Sequence, residues 1–369
     1  MTAKPSSPFG SNKSLSILSR LLLDQREAPF TAATEPGLGI TEISRQEFED
    51  VLVLANSNHV VVRGFEIFQQ IARNAGQDDR ADWAAGAITA ERARIENAIS
   101  FLQAICDAFH AEGYNVTVIK SLDHWPDLGS DLDLYTNTSP SDVLRLMKQR
   151  FEAQLAPRSW GDRLANKWNF LIPGLPEAVE IHMGRLGQTG EQITIARSLP
   201  RRARMVLVGG CVFRVPAIAD RLMISTLQRM YRHFYFRLCD IVDTARLSEA
   251  DIIDYEDLRS SAEAAGIWEG VATYLAIVSD YVEHYRGKGL DLPSFVRASA
   301  RFGGDKIHFR REFLRVPILP QSAALYASQL KTLLLQRELK STARLSLLPC
   351  LATAAAVGQK ITGSDKGIW

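Results

Sequence analysis

The feature that most constrains this chain is a change of period. Over residues 47–75 and 79–111, and through most of the chain after Pro216, apolar residues return every three or four positions. Between about residues 115 and 215 the repeat shortens to two. Segments 115–119 (NVTVI), 131–135 (DLDLY), 168–172 (WNFLI) and 179–183 (VEIHM) are short and β-branched or alternating, which predicts strands. The chain therefore reads as α+β: a small mixed β-sheet core (115–215) flanked by N-terminal helices (41–114) and a C-terminal helical domain (216–369).

Particular residues fill in that frame. Phe48, Val51, Leu52, Leu54, Val61, Phe65, Phe68 and Ile71 mark one helical stripe, and Ile88, Ile95, Ile99, Leu102, Ile105 and Phe109 a second, with Gly113 as its stop. A helix over 141–153 takes Ser139 or Ser141 as its cap. Residues 211–215 suggest a last strand, and helices are expected over 217–246, 255–265, 268–285 and 323–337. Residues 1–40, rich in Ser, Pro, Gly and Thr, read as a flexible lead-in.

Lys+Arg 43 against Asp+Glu 42 leaves a formal charge of +1, which argues against broad electrostatic binding to nucleic acid. Cys106, Cys211, Cys239 and Cys350 stand far apart with no CxxC, as in a protein of a reducing compartment. The N-terminus has no apolar core like that of a signal peptide. The weakly polar run 345–358 is broken by Pro349 and falls short of the ~20 residues of a membrane span. The expected location is cytoplasmic.

The chemistry concentrates in residues 120–134 (KSLDHWPDLGSDLDL). In an extended strand, side chains two apart share a face, so Asp131 and Asp133 project together while Leu132 and Leu134 face the core. Adjacent carboxylates repel unless a cation sits between them, and hard oxygen donors at this spacing suit Mg²⁺, or Mn²⁺ in its place. Glu180 alternates with apolar neighbours on another predicted strand. Were that strand adjacent, three carboxylates would meet and could hold two metals. Lys120 and Ser121 close the first strand and Gly129 and Ser130 precede the carboxylates; all four are candidate phosphate contacts. His182 shares Glu180's face and is a candidate for metal, nucleotide or a structural hydrogen bond. His233 and Arg237, in an Arg- and Tyr-rich helical segment, are candidates for the triphosphate side of a cleft. Asp243 is expected to pair with an arginine. Arg197, Arg201, Arg202 and Arg204 read as an exposed face, and Asp123, His124 and Asp127 as turn residues near the cleft.

Ser121 followed by Asp131-Leu132-Asp133 resembles the strand–turn–D-h-D signature of the polymerase-β-like nucleotidyltransferase superfamily. More closely, the chain is similar to a bacterial branch of largely uncharacterised nucleotidyltransferases. The resemblance is carried by Lys120-Ser121, Trp125-Pro126, Ser130-Asp131-Leu132-Asp133, Glu180-Ile181-His182, His233 and residues 241–247 (IVDTARL), in that order. It covers about residues 115–250, and Ser121 stands where that branch has glycine.

The resemblance implies Mg²⁺-dependent use of a nucleoside triphosphate, with ATP the expected donor. The acceptor of the nucleotide stays open: a small molecule, a sugar, an RNA end or a protein. Two rivals remain, a catalytically silent relative that binds nucleotide or a protein partner, and metal-assisted phosphoester hydrolysis.

Overall fold

The computed structural model describes residues 12–23, 42–250, 252–351 and 353–354. Four helices come first: α1 (Lys13–Leu23), α2 (Arg45–Ser57), α3 (Val61–Asn74) and α4 (Asp78–Ala111). The first of these corrects the flexible lead-in. In α1, Leu15, Ile17, Leu18, Leu21 and Leu23 are buried, and the Ser19 hydroxyl shares a 2.7 Å hydrogen bond with Tyr281. A composition averaged over residues 1–40 hides this 11-residue amphipathic run, whose apolar stripe holds the helix down. Most of the rest of that stretch lies outside the described residues.

The single helix expected over 47–75 is two. A capping box between Ser44 and Glu47 starts α2, and the chain turns at Asn58 and His59, where His59 has φ 52°. Buried Asn58 fixes the turn: its amide nitrogen donates to Leu54 O and Glu312 O, and its oxygen accepts from Leu238 N. Three backbone groups satisfied by one side chain outweigh a continuing helical pattern. The predicted stripe of α4 is buried, and Gly113, with φ 74°, carries the chain out of it.

The central sheet contains β1 (Val116–Val118), β2 (Asp131–Thr136), β3 (Gln154–Leu155), β4 (Lys167–Leu171) and β5 (Ala178–Met183), in the order β1-β2-β5-β4-β3. Only the β2–β5 pair is parallel, so the sheet is mixed. Helices α5 (Pro140–Phe151), capped by Ser139, and α6 (Trp160–Ala165) fall between its strands. The alternation in β2 works as expected. Leu132 and Leu134 enter a core with Val179 and Ile181 of β5 and Ile99 and Leu102 of α4. Tyr135, on the opposite face, joins a second core made by α1–α3 and the helices that follow the sheet. The sheet thus lies between two apolar bodies, and α4 belongs to both, through Ile88 on one side and Ile95 onward on the other.

After α7 (Ile193–Arg202) come β6 (Arg204–Val208) and β7 (Cys211–Val215). The strand expected over 211–215 forms, but as half of a separate two-stranded hairpin. Its turn residues Gly209 and Gly210 have φ 58° and 80°, the pair of positive values a type I′ turn needs.

The helix expected over 217–246 is broken. It runs as α8 (Ile218–Thr226), a π-helical turn (Leu227–Arg232), a two-residue strand β8 (Tyr235–Phe236) and α9 (Leu238–Glu249). Helices α10 (Tyr255–Ala264), α11 (Trp268–Arg286) and α12 (Ser294–Ser299) follow. A hairpin of β9 (His308–Arg310) and β10 (Phe313–Arg315) then pairs with β8 through β10. This three-stranded sheet interrupts a region that reads as helical. Helices α13 (Ala323–Leu335) and α14 (Leu339–Leu345) follow. Among the described residues no helix is long and apolar enough to cross a membrane.

Candidate functional site

The site begins where β1 stops. Lys120 has φ 65° and ψ −56°, and Ser121 N donates to Ile119 O at 2.7 Å. That is the rare, strained form of γ-turn, centred on Lys120. The Ser121 hydroxyl accepts from Asp133 N at 2.7 Å and donates to Asp131 O at 3.2 Å. The amide and the hydroxyl of Ser121, one of the four candidate phosphate contacts, are therefore both engaged inside the chain, and Ser121 positions β2. Ser121→Ala leaves the buried Asp133 amide without its partner. The expected cost is about 1–3 kcal/mol, read from the urea unfolding midpoint.

The loop from Ser121 to Ser130 is pinned from behind. Asp127 accepts from Val62 N at 2.7 Å and Arg63 Nε at 2.8 Å. Arg63 Nη1 reaches Asp243 Oδ1 at 2.5 Å, the pairing with an arginine expected of Asp243. Asp243 Oδ2 lies 2.5 Å from His124 Nδ1, and Asp123 pairs with Arg221 at 2.7 Å. His124, Cys239 and Asp240 also form a close donor group. Its members are engaged, His124 with Asp243 and Asp240 with Arg229 at 2.7 Å, so it reads as part of the pin.

Burial opposes charge on His124, but Cys239 and Asp243 outweigh it and raise the ring well above its ordinary 6.5. A raised folded value means the stabilisation is complete below the unfolded value and is lost as pH rises through the folded one. The melting-temperature gap between the wild type and His124→Gln is therefore expected to be widest below about pH 6.5 and to close at alkaline pH.

In-register pairing sets the other wall. Asp133 lies opposite Glu180 and Tyr135 opposite His182 across β2 and β5, while Lys167 of β4 lies opposite His182. All project to the face turned toward the C-terminal helices. A cleft opens there, lined by every predicted site residue except His182: Lys120, Ser121, Gly129, Ser130, Asp131, Asp133, Glu180, His233 and Arg237. His182 stands behind it, with Nε2 2.8 Å from Glu180 Oε1. Donor atoms of Asp133, Glu180 and His182 fall within 4.8 Å of one another, and Asp131 stands nearer solvent at the rim.

Charge is distributed unevenly among the three carboxylates. Glu180 contacts Lys120 at 3.5 Å and Lys167 at 2.9 Å besides His182. Burial opposes its ionisation, yet these cations hold its carboxyl well below the usual range. Asp133 contacts Lys120; burial, with the Glu180 and Asp131 charges added, still pushes it up to about 8. Asp131 is raised as well, by burial and by Glu180. Asp131 and Asp133 thus have a raised proton affinity that the chain's own cations do not offset, which is the condition an added cation relieves. The three expected carboxylates line one cleft, but the close donor group joins Asp133 and Glu180 to His182 rather than to Asp131. Glu180 is already neutralised from within by Lys120 and Lys167.

The opposite wall is basic. Arg229, Arg232, His233 and Arg237 line it, with Gln228 and Tyr235. Arg229 is held by Asp240, whereas Arg237 Nε has no hydrogen-bond partner. Its guanidinium lies 5.9 Å from the Tyr235 ring and 5.8 Å from that of Phe313. Burial, and then Arg232 and Arg229, hold His233 well below its ordinary value, so its ring is neutral. The sequence reading missed Lys167, because nothing in residues 167–171 shows which strand they pair with. It also passed over His59 and Arg232, which face the cleft, although Arg232 belongs to the same Arg-rich run as Arg237.

No protein-family model, no curated protein and no solved structure matches this chain. Its chemistry has to be read from the cleft itself.

Proposed function

We propose that the protein is a divalent-metal-dependent nucleotidyltransferase that moves a nucleoside monophosphate from a triphosphate, ATP being the expected donor, to an acceptor. One observation carries the reading. Two carboxyls with raised proton affinity, Asp131 and Asp133, stand side by side on a strand at the rim of a cleft whose far wall is arginine and histidine. Mg²⁺ or Mn²⁺ held by Asp131 and Asp133 would supply neutralisation of phosphate charge and polarisation of the reacting oxygens. Arg237, with a free Nε, and Arg232 are placed to take the triphosphate oxygens, as planar donors suited to them. Glu180, kept anionic by Lys120 and Lys167, orients Lys120 toward Asp133. Transfer at phosphorus then depends on positioning and charge stabilisation.

A second reading, a catalytically silent nucleotide-binding relative, is favoured by Lys120, whose ammonium occupies the space between Asp133 and Glu180. Incubation with α-³²P-labelled NTPs, Mg²⁺ or Mn²⁺ and a cell extract separates the two. Label joined to an acceptor supports transfer. Nucleotide binding with no labelled product supports the silent form, and hydrolysed NTP alone would move the assignment to phosphoester hydrolysis.

A further inference from the structure

A second cavity adjoins the cleft; Lys120, Gln228 and Arg232 line both. Its body is apolar, with Ile119 and Leu186 on the sheet side and Ile224, Leu227 and Leu345 across from them. Set into that apolar wall are polar atoms without a hydrogen-bond partner: His182 Nδ1, Gln188 Oε1, and both Oε1 and Nε2 of Gln329. These side chains are 5%, 8% and 1% exposed. An unpaired buried amide is costly, and native interiors hold few of them. Several gathered in the wall of one cavity are what remains when a ligand supplies the missing partners.

Two of the three charged groups of the cavity are already engaged, and the third, Arg232, also opens onto the cleft, where it is placed for the triphosphate. Glu191 accepts from Thr189 N at 2.9 Å and Thr189 Oγ1 at 3.0 Å, and Lys120 is paired with Asp133. The end that carries Leu345 is fastened down. Arg344 donates to Leu164 O at 2.9 Å and Thr189 O at 2.8 Å, and the single Thr189 hydroxyl proton is shared between Glu191 and Arg344 O, the latter at 2.9 Å.

We infer that this cavity is the acceptor pocket, built for an uncharged small molecule with an apolar body and hydroxyl or amide groups that pair with Gln188 and Gln329. The word acceptor rests on the nucleotidyl-transfer reading above; the pocket and its ligand class do not. An apolar lining with a few convergent polar groups is the usual composition of small-molecule sites. In the transfer, an acceptor hydroxyl oxygen bonds to the α-phosphorus as the bond to the β-phosphate oxygen breaks. Pyrophosphate leaves with that electron pair, and the hydroxyl proton passes to solvent.

The test uses the full chain and ligand-observed NMR titrations. Benzamide and benzyl alcohol are the neutral probes, benzoate and benzylamine their charged counterparts. The neutral probes are expected to bind the wild type and to weaken by about tenfold or more in Gln188→Leu/Gln329→Leu, the scale of one or two lost hydrogen bonds. That variant is expected to melt at a higher temperature, because it removes unpaired buried amides, so loss of binding will not be loss of fold. Binding unaffected by the substitutions, or a preference for benzoate or benzylamine, overturns the pocket. MnATP binding, measured on the same samples, is expected to be unchanged in the variant. Glutamine-dependent probe binding without any MnATP binding supports the pocket and overturns the transfer reading alone. MnATP binding without probe binding does the reverse.

Discussion

Asp133→Asn, alone or with Asp131→Asn, is expected to lower kcat/KM for label transfer by about 10³-fold or more, the scale of losing a main stabiliser of transition-state charge. The fold will survive, and the reason lies in the direction of the carboxyl's shift. Burial raises Asp133 far above the ordinary aspartate value, so the metal-free folded state holds a proton that the unfolded chain releases near pH 4. Between those two values the folded state binds more protons than the unfolded one, and wild-type stability falls as pH rises. Asn carries no such penalty, so without metal the variant should equal or exceed the wild type in melting temperature, most clearly toward pH 8. Divalent cation reverses the order. It replaces the proton and stabilises the wild type by about 2.7 kcal/mol at 100 times its Kd, while the variant gains nothing. Thermal melts with and without MnCl₂, from mildly acid pH to about pH 8, check both halves. An equal Mn²⁺ shift in wild type and variant would remove the cation from Asp133.

How far the sequence displays this site depends on which contacts are local. The placement of Asp131 and Asp133 together, with Leu132 and Leu134 buried behind them, follows from the two-residue period of β2 alone. That Glu180 comes beside Asp133 is a register fact between strands nearly fifty residues apart; the alternation of β5 shows its face but not its neighbour. Lys167 is harder still, since its role exists only once β4 pairs antiparallel with β5. The γ-turn at Lys120 engages the Ser121 amide inside the chain although Ser121 lines the cleft, and no residue pattern announces it. The small sheet of β8, β9 and β10 is illegible for a different reason. Its hairpin turns on Arg311 and Glu312, with φ 49° and 67°, so the Asn and Gly that normally mark such turns are missing. Its third strand is two residues long and sits inside a helical pattern. Helix α1 shows the opposite failure, a legible eleven-residue stripe lost in an average.

Arg63→Met is expected to be the most damaging single change to stability, at about 3–5 kcal/mol. Arg63 is 4% exposed and Asp127 1%, and the guanidinium serves Asp127 through Nε and Asp243 through Nη1. Methionine fills much the same volume, so the loss is electrostatic: buried Asp127 is left with no cation and half-buried Asp243 with His124 alone. Adding Asp127→Asn should recover part of it. Asn still accepts from Val62 N, as Asp127 does, but brings no charge to bury. The coupling energy in this double-mutant cycle is the measured worth of the pair. The same pin fixes the loop between β1 and β2 that carries Lys120 and Gly129, so transfer is expected to fall in Arg63→Met at temperatures where the protein is still folded. Urea unfolding midpoints give the stability term, and amide hydrogen exchange at Val62 reports the local one. A loss below about 1 kcal/mol, the level of an exposed pair, would mean that solvent reaches this network and that the loop is positioned by other contacts.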